Sequence, residues 1–530
     1  MYSRRMALLS AEDRVLLETV AELTITNPFG PERKKLEKKA LGVEHQPDAD
    51  VWSLRGDPRA RERNLARIEA RLEQRLSSLL GDLKRAKDPT DQELRLLEDG
   101  VLFHVFHQSS EALLGLVTAP EDERGLEAPD YPRFEAALTE LLAPIARRRS
   151  LRSTPPRLFA AFFQLRRAFV QVFDHLVGAS RPAAALRATV WESIFTHRPW
   201  RYLESLTDRM RDFSTLIVGP TGSGKELVAR AVGLSQFRPF DPSTRRFVPS
   251  KHLPLNLSAL SPTLIESELF GHKKGSFTSA VQDRAGWLEV AGPQGVVFLD
   301  EIGELDAALQ VKILRVLQTR VFQRIGEAEN RRFEGKIISA TNRPLQAAID
   351  SGAFRADLYY RLCSDLIVTP SLAEQLADAP EELGEMLRFV VGRIFGEAEP
   401  TVIDRATDEV RRVVDRELGP GYSWPGNFRE LEQCARSVIL HGRYTPAARL
   451  PQPTKTEAWA DLPQGHARPL EEVLERYVSW VFAETGSYLE TARRLGVDRR
   501  TVKAKLDRRL VATWRRAGGA GSLRTAPPRP

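Results

Sequence analysis

Cysteine is almost missing from this chain: Cys363 and Cys434 are the only two in 530 residues. Two cysteines build no disulfide framework, and their scarcity suits a reducing compartment. Also missing is any uninterrupted apolar run of membrane length. The arginine-bearing start, Met1-Tyr2-Ser3-Arg4-Arg5-Met6, is not followed by a long apolar core. Neither a membrane span nor a leader is expected, and the expected location is the cytoplasm. No internal repeat stands out. Within the first 185 residues there is neither a receiver-type acidic pocket nor a small-molecule sensor motif. What remains is a chain that is 42% hydrophobic and 28% charged, room for about three domains with proper cores.

Basic charge is also scarce over most of the length. Between Thr491 and Arg516 there are ten Lys or Arg and two Asp or Glu, a net of +8, whereas the whole chain is only +7. Everything outside that window therefore sums to −1. The alkaline character belongs to one short segment, and binding to a polyanion through it would weaken steeply with salt.

What is present is dense in the middle of the chain. The apolar run Thr215-Leu216-Ile217-Val218 leads into Gly219-Pro220-Thr221-Gly222-Ser223-Gly224-Lys225-Glu226 and an amphipathic Leu227–Val232 segment. Strand, glycine turn and helix are the setting in which backbone N–H groups and a helix N-terminus surround phosphates. Lys225 supplies charge for the β and γ phosphates of ATP. Glu226 replaces the usual hydroxyl residue, so more of the Mg²⁺ coordination must come from elsewhere. A second β-rich run, Gly295–Leu299, ends in Asp300 and Glu301. A buried parallel strand of this kind delivers acids to the ligand crevice at its C-terminal end. Asp300 is the expected Mg²⁺ partner and Glu301 the base that polarises water. A third strand, Lys336–Ala340, ends in Thr341-Asn342-Arg343, placing polar groups at the same edge to hold water or sense the γ-phosphate. Beyond it lie Arg355 and Arg361, which in a ring-forming ATPase would enter a neighbour's site.

With these residues the segment from about Phe213 to Leu431 resembles the AAA+ domain of bacterial enhancer-binding proteins, the activators of sigma-54 RNA polymerase. The likeness rests on the Gly-Lys-Glu end of the phosphate loop, Glu268-Leu269-Phe270-Gly271-His272, Leu299–Leu305, Ala340–Arg343, Phe354-Arg355, Asp357–Leu362 and Trp424-Pro425-Gly426-Asn427-Phe428-Arg429-Glu430-Leu431, in the family's order. The resemblance implies an α/β fold, an AAA+ P-loop three-layer sandwich with a helical lid, assembling as a homo-oligomer, a hexamer. It implies that Asn256 restrains Glu301, that Thr341 and Asn342 form a first sensor, and that Arg355 and Arg361 are trans-acting fingers. Arg429 would be the lid sensor. Phe277 and Thr278 would touch sigma-54.

In that contact loop the family pattern is Gly-Ala-Phe-Thr-Gly-Ala, and this chain reads Gly275-Ser276-Phe277-Thr278-Ser279-Ala280. Ser279 replaces a residue that needs no Cβ accommodation. Two readings stay open: a working contact loop of altered flexibility, or a DNA-binding AAA+ regulator that no longer engages sigma-54.

The C-terminal segment carries apolar residues at helical spacing from Leu470 to Val481, then helix, glycine turn and helix over Leu489–Leu506. Asp498 is placed to cap the second helix. Ala492, Leu495, Val497, Val502 and Leu506 are expected to pack the core, leaving Arg499, Arg500, Lys503 and Lys505 to face double-stranded DNA. The arrangement is similar to the Fis-type helix-turn-helix that ends the same activator family. The organisation expected is a mostly helical regulatory region 1–185, the ATPase domain 186–443 with its lid from about 371, a linker 444–468, an all-α helix-turn-helix domain 469–512, and a disordered tail 513–530. In the first region Leu65, Ile68, Leu72, Leu76, Leu79 and Leu83 form a helical stripe, with further helices over Val101–Phe106 and Leu158–Phe173. His104 and His107 are expected to be ordinary partly buried histidines, and Arg63, Arg67, Arg71 and Arg75 a solvated face.

Overall fold

The computed structural model describes residues 8–46, 63–86, 88–197, 199–277, 280–396, 398–419, 421–446 and 470–511. Thr278 and Ser279 of the contact loop, most of the 444–468 linker and all of the 513–530 tail lie outside them. The chain divides into two units, residues 1–444 and 445–530.

The centre of the first unit is a five-stranded sheet: β1 (Thr215–Val218), β2 (His252–Asn256), β3 (Val296–Asp300), β4 (Lys336–Thr341) and β5 (Asp365–Val368). Their order is β5-β1-β4-β3-β2, and all neighbours are parallel. Every strand therefore ends at one edge. Because β4 lies between β1 and β3, its polar terminus falls between the glycine loop and the acid pair. The three central strands are almost wholly buried, as their unbroken apolar runs predict.

Successive side chains of a strand point to opposite faces, and here each face has its own core. Leu216, Val297, Leu299 and Ile337 join a cluster with the helices Pro262–Phe270, Ala307–Thr319 and Ala356–Leu362. Ile217, Val296, Phe298, Ile338 and Ile367 join the other. That second cluster runs without a break from the sheet through the glycine-loop helix Lys225–Leu234 into the N-terminal helices, as far as Leu9.

The N-terminal region is helical, as its periodicity predicts. Helix Arg63–Arg85 buries Ile68, Leu72, Leu76, Leu79 and Leu83. Helix Asp91–Gln108 starts at a capping box in which Thr90 and Glu93 each bind the other's backbone amide. Arg63 and Arg75 are exposed, as the charge pattern predicts, and the arginine face also makes ion pairs. Arg75 makes a two-pronged ion pair with the buried Asp13, and Arg71 reaches Glu12 and the Ala40 carbonyl. His104 is buried, and among the described residues no group of three His, Cys, Asp or Glu side chains converges on a metal position.

Two structures bind this region to the sheet. Helix Pro155–His175 packs on the glycine-loop helix, with the Phe163 ring 4.3 Å from Phe247 and Gln164 donating to the Ser235 carbonyl at 2.9 Å. In addition, Leu126–Glu127 pairs antiparallel with Arg246–Phe247, adding a strand to the small hairpin of Phe240–Asp241 and Arg246–Phe247. A third cluster, Leu372 to Tyr444, builds the lid from helices Leu372–Asp378, Leu383–Phe395, Pro400–Glu417 and Asn427–His441.

The second unit has three helices, Leu470–Thr485, Tyr488–Leu495 and Arg499–Ala504, closed over Val478, Ala492 and Val502.

Candidate functional site

The glycine loop leaves β1 and enters helix Lys225–Leu234 at Gly224, whose left-handed backbone forms the N-cap. Gly222 has φ +76°, and a Cβ there would lie 2.3 Å from the Gly426 carbonyl oxygen. Only glycine fits a left-handed turn pressed so closely on another backbone. The same approach lets the Phe428 amide donate to the Gly222 carbonyl at 3.0 Å. Asn427 donates to the Thr221 carbonyl at 2.9 Å and accepts from the Leu372 amide at 2.7 Å. The Trp-Pro-Gly-Asn motif thus fastens the lid to the phosphate loop.

Lys225 is buried and donates to the carbonyls of Gly219 and Pro220 at 3.1 and 3.2 Å. Burial lowers its pKa, and the carboxylates of Glu301 and Asp300 pull it back up. Asp300 is displaced the other way: burial and then the neighbouring Glu301 raise its pKa, with Glu226 adding to the repulsion. An acid held in this state gains from an arriving cation. Glu301 has φ +55°, a left-handed backbone that is costly for a side-chain-bearing residue and recurs at functional sites. Its carboxylate accepts from the Asn342 amide at 3.3 Å, and the Asn342 side chain donates to Thr221 Oγ1 at 2.8 Å. One polar chain therefore links the glycine loop, the end of β4 and the acid pair.

These groups border a cleft of about 390 Å³. Thr221 to Glu226, Asp300, Glu301 and Arg429 line it, as the motifs predict. Thr341 is buried at the same sheet edge, with its hydroxyl accepting from the Arg343 amide at 3.1 Å. Sequence reading missed part of the lining. Leu176, Val177, Leu186 and Phe428 supply apolar surface, and Arg393 of the lid adds a cation. The signal for the first pair is faint, a short apolar run closed by Gly178-Ala179-Ser180. That segment is pinned to the lid by Ser180 and Arg181, whose amides donate to Glu382 and Asp378. For Arg393 there was no local signal. Apolar surface and four basic side chains, Lys225, Arg230, Arg393 and Arg429, in one cleft match a ligand that carries both a flat base and phosphates.

Six expected residues do not line the cleft: Gly219, Thr341 and Asn342 adjoin it, Gly219 and Asn342 bonded to Lys225 and Thr221 of its lining, and three others stand apart. Asn256 pairs in register with Asp300, but its side chain accepts from Ser258, at 3.0 Å from the amide and 2.7 Å from the hydroxyl. Among the described residues it makes no hydrogen bond with Glu301, whose partner is Asn342. Arg355 and Arg361 are exposed and border none of this cleft. Arg355 holds Asp357 in a two-pronged ion pair at 3.0 and 2.7 Å.

The contact loop grows from helix Pro262–Phe270. Lys273 pairs with Asp283 and Glu327 at 2.8 and 3.3 Å, and the loop closes through Gly275 N–H to the Ala280 carbonyl at 2.8 Å. The Phe277 ring meets the buried His272 ring in a T-shaped contact, centroids 4.9 Å apart. Ser276 is accommodated by Gly326 in the adjacent hairpin: a Cβ on Gly326 would stand 2.7 Å from the Ser276 Cβ.

In the second unit Asp498 caps helix Arg499–Ala504, accepting from the Thr501 amide at 2.8 Å and hydroxyl at 2.9 Å, as predicted. Arg499, Arg500 and Lys503 are exposed. Lys505 departs from the expectation, because it is half-buried and pairs with Glu471 of the preceding helix. Val497 is likewise exposed rather than packed, and Phe482 and Tyr488 fill the core in its place.

Comparison with known proteins bears on the first unit. Residues 200–367 match the family model described as the Sigma-54 interaction domain. The chain is similar to the transcriptional regulatory protein ZraR of Klebsiella oxytoca, 38% identical over 303 residues that cover 56% of this chain and 64% of that protein. It is similar to the Nif-specific regulatory protein of Azotobacter vinelandii, 43% identical over 228 residues covering 43% and 40% of the two chains. The sigma54-dependent transcriptional regulator SfnR of Pseudomonas fluorescens is 41% identical over 231 residues, covering 43% and 56%. The chain thus spans less than two thirds of the length of these relatives. Residues 200–367 are thus similar to a sigma-54 interaction domain, and the chain resembles these transcriptional regulators over part of its length.

Proposed function

We propose that this protein is a DNA-anchored ATPase that remodels the closed complex of sigma-54 RNA polymerase. ATP would lie in the cleft with its base against Leu176, Val177 and Phe428 and its phosphates on the glycine loop and Lys225. Asp300 would hold Mg²⁺, and its raised pKa supports the fit, because clustered acids at a buried strand end favour a counter-charge. Bound there, the metal offsets phosphate charge. Glu301 would orient and deprotonate the attacking water, and Asn342, bonded to both Glu301 and Thr221, would register the γ-phosphate. Arg429 would report nucleotide to the lid. Arg355 and Arg361, exposed and remote from their own cleft, are suited to complete a neighbour's site in a homohexamer. Arg499, Arg500 and Lys503 would contact double-stranded DNA.

The observation that carries this reading is the connection between cleft and contact loop. Asn256 lies in register with Asp300, and the chain from it runs through Leu257–Ala259, which packs on Ile302–Glu304, into the helix that ends at the Phe277 loop. A change at the acid pair has a short, rigid path to that loop, so nucleotide state would raise and withdraw Phe277 and Thr278. Thr278→Ala is expected to keep ATPase activity and abolish open-complex formation; undiminished promoter activation would sink the assignment. The second reading, a regulator that keeps the ATPase fold without engaging sigma-54, is favoured by Ser276, whose buried hydroxyl has no hydrogen-bond partner among the described residues. Binding of purified sigma-54 in the presence of an ATP transition-state analogue separates the two.

A further inference from the structure

The N-terminal helices line a second, open-mouthed cavity of about 200 Å³. Its walls are aromatic: Phe103 and Phe106 from helix Asp91–Gln108, Phe162 and Phe169 from helix Pro155–His175, and Trp191 from helix Arg181–Phe195. An apolar cavity of about 150 Å³ is enough to take up benzene. This one therefore has room for a single ring and a small polar group.

Its polar lining is specific. Arg33 is already paired with Glu37 at 2.8 Å. Arg166 has no ion-pair partner among the described residues, and its Nε is buried without a hydrogen bond. Across the described residues Glu69 also lacks a cationic partner, and burial followed by Glu73 raises its pKa. His107 is pushed down to about 4 by burial and by Arg33 and Arg166, so at neutral pH it is an uncharged imidazole. A partly buried guanidinium with an orphaned Nε, and a partly desolvated carboxyl group without a cationic partner among the described residues, ask for a ligand that brings one anionic group and one hydrogen-bond donor.

The cavity is mechanically tied to the nucleotide cleft. Helix Pro155–His175 gives Phe162, Arg166 and Phe169 to the cavity and His175 to the cleft. Helix Arg181–Phe195 gives Trp191 to the cavity and Ala183 and Leu186 to the cleft. Two rigid elements thus carry walls of both sites, and a shift of either helix is felt in each.

We propose that this cavity is a regulatory site for a small aromatic carboxylate bearing a donor such as a hydroxyl, with Arg166 on the carboxylate and Glu69 on the donor, and that its occupancy alters nucleotide affinity. The coupling rests on the cleft being the nucleotide site; the binding does not. The test uses full-length protein and 4-hydroxybenzoate, with benzamide as the uncharged control, followed by calorimetry and ligand-observed NMR. Saturable binding of 4-hydroxybenzoate is expected, weakened about tenfold by Arg166→Gln. Benzamide is expected to bind weakly and to be indifferent to that change. Ala66→Trp, at an exposed position on the cavity's border, should block entry without loss of fold. Non-saturable binding, or equal affinity in wild type, Arg166→Gln and Ala66→Trp, overturns the site. The affinity of a fluorescent ATP analogue should change by about fivefold or more when the site is filled, and reciprocally. An unchanged nucleotide affinity with 4-hydroxybenzoate bound overturns the coupling, whereas failure to bind nucleotide at all points to the cleft reading instead.

Discussion

Replacing Phe163 by alanine tests whether the N-terminal helices and the ATPase sheet fold as one body. Phe163 is 2% exposed and packs on Phe247, which belongs to the hairpin between the glycine-loop helix and β2. Truncating a buried phenylalanine costs about 3–5 kcal/mol. The effect on melting depends on how much chain melts with it, because unfolding entropy near 60 °C is about 2.1 cal/mol/K per residue. If roughly 400 residues unfold together, the entropy is about 0.85 kcal/mol/K and a loss of about 4 kcal/mol lowers Tm by about 5 °C. If the N-terminal helices melted alone, with roughly 150 residues, the same loss would lower their own transition by about 13 °C and leave the rest in place. The continuous core predicts the first outcome. Scanning calorimetry of the full-length protein with and without an ATP analogue reads it: one large transition, displaced by about 5 °C in the variant and raised as a whole by nucleotide. A separate N-terminal transition, indifferent to nucleotide and falling by more than about 10 °C, would refute the reasoning.

Gly222→Ala should push the lid off the phosphate loop, since its Cβ would meet the Gly426 carbonyl at 2.3 Å in a left-handed turn. A strain of about 1–3 kcal/mol corresponds to roughly fivefold to 150-fold loss of ATP-analogue affinity, and unchanged affinity by fluorescence titration would contradict it. Lys336 is buried, donates to the Phe213 carbonyl at 2.6 Å, and has its pKa pushed down by burial to about 8. The unfolded chain then binds the extra proton between pH 8 and 10.5, so stability should rise with pH across that window, by up to about 3 kcal/mol. Denaturant titrations should show that this slope is absent from Lys336→Met. Asp498→Ala removes the cap of the second turn helix at a cost of about 1 kcal/mol and should weaken operator binding in fluorescence anisotropy. Arg500→Ala should instead lower the salt slope of binding by about one, and a slope equal to that of the wild type would exclude a phosphate contact.

The parts of the site that were legible are those written in short-range spacing. Lys225 follows the loop glycines, Asp300 and Glu301 end an apolar run, and Asp498 stands three residues before Thr501, so local geometry alone brings each to its place. The parts that were not legible depend on contacts between distant segments. Nothing near Arg393 announces that a lid helix carries it to the cleft, and nothing near Lys505 announces Glu471. The aromatic residues of Pro155–His175 read as an ordinary helix core. Their partners, Phe240 and Phe247, are separated from them by the whole glycine loop, so the junction of the two regions could be seen only once folded. Asn256 shows the opposite case. Its position is fixed by strand register, but the direction of its side chain is decided by Ser258, two residues on.

The strand that Leu126–Glu127 lends to the hairpin has a bearing on how such a protein can be recombined. A sensory module joined by a loose tether can be exchanged at the tether without disturbing the domain on its far side. Here an exchange just before His175 would strip the cover from Phe240 and Phe247 and leave an edge strand and a greasy surface on the ATPase side of the junction. A viable chimera must carry the Phe240–Phe247 hairpin together with the incoming front end, so the unit of inheritance is interleaved along the chain rather than contiguous.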